Sequence, residues 1–217
     1  MRLSSRRSFS TGFTLLELVV VIGILAFITF FTAVAFSNGE GKRLEAGQRI
    51  ATNFLQMART QAVLYAGVDA RKGDDEVGAW LLIHDDPRDV ERYRRYFGVI
   101  YRDAEASGWI AGSQGVALPK GVYVSEALGA SGRPHDVRVY LDYPLATTDA
   151  DLSQGGVPWI AYGFQSTGAF MHSGARIILG TGYYVPETHT WKSQNPHARV
   201  GFAVWRSGAV SPLGQAQ

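Results

Sequence analysis

The sequence predicts an α+β fold: a long N-terminal helix, membrane-spanning in its first half and amphipathic in its second, packed on a mostly antiparallel β-sheet domain. Three observations lead there. An apolar run over residues 13–36 carries one charge, Glu17. Helical periodicity resumes after a Gly-rich break and lasts to about residue 66. Beyond residue 67 the pattern changes to short segments rich in β-branched and aromatic residues, separated by turn residues. The expected organisation is a leader over 1–12, a transmembrane helix over 13–36, its amphipathic continuation over 37–66, and a globular β domain over 67–217.

The leader, MRLSSRRSFSTG, is short, basic and Ser-rich. The 24 residues after it (FTLLELVVVIGILAFITFFTAVAF) rise about 36 Å as a helix, enough for a hydrocarbon core of about 30 Å. Arg2, Arg6 and Arg7 precede the run, which predicts a single pass of the inner membrane with the N-terminus cytoplasmic and the C-terminal domain outside. Glu17 needs a partner there, because an intramembrane carboxylate costs about 2.5–3.5 kcal/mol on insertion scales. Cleavage after Gly12 would supply one. Phe13 becomes the new N-terminus, one helical turn from Glu17, and its α-amino group, with a pKa of about 7.7–8.0, is largely protonated at neutral pH. Among helices side by side, Glu17 of one copy can pair with the Phe13 amine of the next and set their stagger.

Asn38-Gly39-Glu40-Gly41 then interrupts the run, and each Gly weakens a helix by about 1 kcal/mol relative to Ala, which predicts a bend or local melting. From Lys42 on, Ile50, Phe54, Met57 and Leu64 form one apolar stripe, with Ala51, Leu55, Ala58, Ala62 and Tyr65 beside it. Arg49, Asn53, Gln56 and Thr60 occupy the opposite face, so the apolar side must dock on the β domain. Strands are predicted at residues 79–84, 96–101, 121–125, 137–143, 159–164, 175–179 and 199–205. No helical crossover lies between them, hence the antiparallel expectation.

Composition narrows the function. Of 217 residues 46% are hydrophobic, with 25 Gly and no Cys, so disulfides, thiolate metal sites and cysteine nucleophiles are excluded. Without the leader, 18 Lys and Arg face 19 Asp and Glu, which gives no bulk argument for a nucleic-acid partner. No phosphate-binding loop, dinucleotide fingerprint or nucleophile elbow occurs, and His84, His135, His172, His189 and His197 lack metal-ligand spacing. Neither an enzyme, a cofactor nor a metal is expected. The acidic clusters Asp74-Asp75-Glu76 and Asp85-Asp86 with Asp89 and Glu91 lack EF-hand spacing and read as solvated charged loops.

Gly12-Phe13-Thr14-Leu15-Leu16-Glu17, ahead of the apolar helix, closely resembles the class III signal of type IV prepilins and type II secretion pseudopilins. That resemblance implies that a prepilin peptidase cuts after Gly12 and N-methylates Phe13, and that Glu17 is the assembly carboxylate. The stretch from Phe54 to Ala62 resembles the Leu-x-x-Ala-Arg-x-x-Ala helix of H-type pseudopilins and FimT-like minor pilins. Phe164-Gln165-Ser166-Thr167-Gly168 resembles their Phe-x-x-x-Gly turn, and RVGFAVW with SGAVSPLG resembles their C-terminal hairpin. The implied protein is a minor pilin or pseudopilin of a type IV pilus or a type II secretion pseudopilus. Its implied partners are other such subunits, the prepilin peptidase, the inner-membrane assembly platform and the lipid bilayer. Other readings stay open. Ser5-Arg6-Arg7-Ser8-Phe9 looks like a twin-arginine signal and Ala33-Val34-Ala35 like a cleavage site, which together would release a soluble exported protein after Ala35. A plain signal anchor would leave Glu17 protonated or snorkelling. A DNA-binding minor pilin would need a basic patch, and Arg92, Arg94 and Arg95, with Tyr93 and Tyr96, are the best local candidate; Lys192, His197, Arg199 and Arg206 are another.

Overall fold

A computed structural model describes residues 15–65, 77–102, 108–144 and 152–213 of the chain. The chain divides into two compact units, 1–40 and 41–217. Helix α1 (Leu15–Tyr65) carries residues of both. It is helical at Gly39 and Gly41, so the chain does not melt locally there. Nothing approaches the positions a Cβ would take at either glycine, and helical segments flank both on each side.

In the second unit eleven strands, all paired antiparallel, make two sheets among the described residues. They are β1 (Val77–His84), β2 (Tyr96–Arg102), β3 (Trp109–Ala111), β4 (Val116–Ala117), β5 (Val122–Gly129), β6 (Arg138–Leu141), β7 (Val157–Gln165), β8 (Gly174–Val185), β9 (Thr190–Ser193), β10 (Arg199–Trp205) and β11 (Val210–Leu213). The first sheet has the order β3-β2-β1-β7-β6, with β4 also on β2. The second has the order β11-β10-β8-β5, with β9 on β8. Bulges lie between Val77 and Ala79 and between Val124 and Glu126.

Alternation of side chains sets the cores. Ala79, Leu81 and Ile83 of β1, Tyr162 and Phe164 of β7, Ile177 and Leu179 of β8 and Phe202 and Val204 of β10 join one buried cluster. From α1 that cluster takes Leu44, Ala51, Phe54, Leu55, Ala58 and Ala62. Small residues on this stripe let backbones come close. A Cβ on Gly47 would lie 3.0 Å from Val122, and one on Gly78 would lie 3.0 Å from the Ala62 carbonyl oxygen. Leu64, read from sequence as part of the apolar stripe, is instead 68% exposed. The intervening residues of β1 and β7 (Leu82, Trp159 and Ala161) join a second cluster with Ile100, Trp109, Tyr143 and Leu152. The first sheet is therefore buried on both faces, which is why β1 reads as a continuous apolar run.

Two expectations are corrected here. The anticipated α+β class, a long N-terminal helix, membrane-spanning in its first half and amphipathic in its second, packed on a mostly antiparallel β-sheet domain, is not what forms: antiparallel strands in two sheets dominate. No helix among the described residues is long and apolar enough to cross a membrane. The single-pass inner-membrane placement falls with that finding.

Candidate functional site

The first unit contributes the amino-terminal part of α1. Leu15 and Leu16 are 82% and 76% exposed, and every side chain through Thr29 is exposed. Apolar residues lie on all sides of this stretch, and Glu17 is its one charged residue. The Thr29 hydroxyl donates back to the Leu25 carbonyl at 2.7 Å, which keeps its polar group inside the helix. Gly12 and Phe13, the expected cleavage and methylation positions, lie outside the described residues, as does the acidic cluster at residues 74–76. Ala35, the alternative cleavage position, falls within α1.

The second unit resolves the fate of the arginines between β1 and β2. Arg94 sits in the left-handed region at φ 54°. Its N–H donates to the His84 carbonyl at 2.8 Å, and its carbonyl accepts from Val124 N–H at 2.8 Å. Its side chain reaches Asp85 at 3.3 Å, and Arg138 reaches the other Asp85 oxygen at 2.9 Å. Arg95 donates to the Leu118 carbonyl at 2.9 Å and the Val122 carbonyl at 3.3 Å, and burial lowers its pKa. Arg92 stays exposed, 3.7 Å from Asp89 and over the Tyr96 ring. Of the three arginines singled out for nucleic acid, two thus tie the β1–β2 loop to β5. Arg199 pairs with Glu126 at 2.7 Å, which takes it out of the second basic group. The acidic side of the loop is less solvated than its sequence suggests, since the Asp85 and Asp86 side chains are each only 12% exposed. Arg88 grips both Asp86 oxygens and holds that carboxyl below its usual range.

A third place gave no signal in sequence spacing. The β5–β6 connection and the residues before β8 enclose a cavity of about 320 Å³. His135 and His172, 37 positions apart, both line it, with ring centroids 4.8 Å apart. His135 stacks on Tyr162 at 4.2 Å and lies 2.7 Å from the Ala161 carbonyl through Nε2, which must therefore carry the proton. Burial lowers the pKa of both imidazoles, and the Asp136 carboxylate opposes that shift at each. Among the described residues no group of three or more His, Cys, Asp or Glu is placed to hold a metal ion. Compared with protein families, with curated proteins and with solved structures, the chain matches none.

Proposed function

We propose that this chain is a filament subunit of the pilin or pseudopilin type, cut between Gly12 and Phe13 and assembled through α1. The observation that carries the reading is the exposed helix surface from Leu15 to Thr29, apolar on every side and bearing one carboxylate. A helix that is hydrophobic all round is stable only when covered. Copies of the same helix, side by side, cover it without any other ligand. In that packing Glu17 meets the Phe13 amine of a neighbour, and two charges that are each costly to bury neutralise one another. The reading asks for no catalytic group.

Changing Glu17 to Ala or Val tests this directly. Neither substitution touches the cores of the sheet unit, so its thermal midpoint should stay unchanged. Incorporation into sheared filaments should drop severely, and Phe13 should still be exposed by processing. Variants that assemble as well as the parent would remove the pairing from the account.

A further inference from the structure

We propose that the cavity between the β5–β6 connection and the start of β8 binds a small zwitterion, a free amino acid or a short peptide, through Arg133 and Asp136. The turn that presents them is fixed. Gly129 N–H donates to the Arg133 carbonyl at 2.9 Å, Gly132 N–H donates to the Gly129 carbonyl at 3.0 Å, and Pro134 bridges back to Leu128. Gly132 holds a φ of 73°, a conformation that glycine adopts at no steric cost. One residue past Pro134, His135 is 6% exposed and anchored to β7 through Ala161, so the segment has little room to shift.

Charge decides the ligand class. Arg133 and Asp136 both line the cavity, both are exposed, and no ion pair joins them to each other or to another described residue. A simple anion would meet Arg133 but face Asp136, and a simple cation would meet the reverse. A ligand carrying a carboxylate and an ammonium satisfies both, the carboxylate on the forked guanidinium and the ammonium on Asp136. The neutral imidazoles of His135 and His172, with Pro134, leave a low-charge wall for a side chain. A volume of about 320 Å³ holds an amino acid or a dipeptide and little more. This site is independent of how α1 assembles.

Calorimetric titration of the full chain with leucine and with alanyl-leucine tests the proposal, the two probes separating a free amino acid from a peptide. Saturable binding of at least one is expected, with N-acetyl-leucine and leucine amide about tenfold weaker, because each lacks one charge. Arg133→Ala and Asp136→Ala should each weaken the same probe about tenfold, and circular dichroism should show both variants folded, since both side chains are exposed. Absence of saturable binding by either probe would overturn the proposal. So would equal binding of the blocked forms, indifference to both substitutions, or preference for a neutral sugar such as glucose.

Discussion

Asp85 receives two guanidiniums, Arg94 from its own loop and Arg138 from β6, and its backbone N–H donates to the Pro158 carbonyl at 3.0 Å. One residue therefore ties the β1–β2 loop to β6 through its carboxylate and to β7 through its backbone. Its removal leaves two partly buried guanidiniums without their carboxylate, so Asp85→Ala should cost about 2–3 kcal/mol in urea unfolding. A loss under about 0.5 kcal/mol, the range of ordinary surface changes, would show that the cluster is solvated after all. The histidines give a second prediction. Burial is the largest influence on His84, His135 and His172, and it lowers each pKa. Unfolded, each titrates near 6.5, so between about 6.5 and the lower folded values the unfolded chain holds more protons. Stability is thus full above about pH 6.5 and declines as pH falls through the folded values. The urea midpoint should drop between pH 7.5 and pH 5, and less so in His172→Gln. An equal drop in the variant would exclude His172 as a source.

At the scale of elements, the strands at residues 79–84, 96–101, 159–164 and 199–205 were legible because β-branched and aromatic residues crowd them. The short strands β3, β4 and β9 were not, since two to four residues carry no period. β9 reads Thr-Trp-Lys-Ser, which is largely polar, and is held by pairing to β8. Local pattern also names strands without naming partners. β1 pairs with β7 some 80 positions away, so the division into two sheets was hidden. In α1 the Gly39 and Gly41 penalties, about 1 kcal/mol each, lose to propagation from long flanking helix, where extension adds a bond per residue fixed. The stripe Ala51, Leu55, Ala58 and Ala62 was legible, and its small members mark the close approach. Ala62→Leu should push into the Gly78 backbone and cost about 1–3 kcal/mol, seen as a lower thermal midpoint. An unchanged midpoint would mean that the helix moves off at no cost.

For the molecule as a whole, the sequence displayed the apolar, singly charged helix openly, because a run of that length has no interpretation as an alternating strand. It could not display the cavity beside His135 and His172, which exists only once two distant connections meet. Nor could it show that Arg94 and Arg95 would be spent on Asp85 and on backbone carbonyls, since spacing alone does not separate a basic patch from a latch. The central claim concerns what the cell does with the N-terminus, and sequencing the N-terminus of native protein, with its intact mass, reaches it most directly. The account predicts a chain beginning at Phe13 and about 14 Da heavier than its unmodified sequence, the mark of one methyl group. A chain beginning at Met1 or at Phe36 would contradict it.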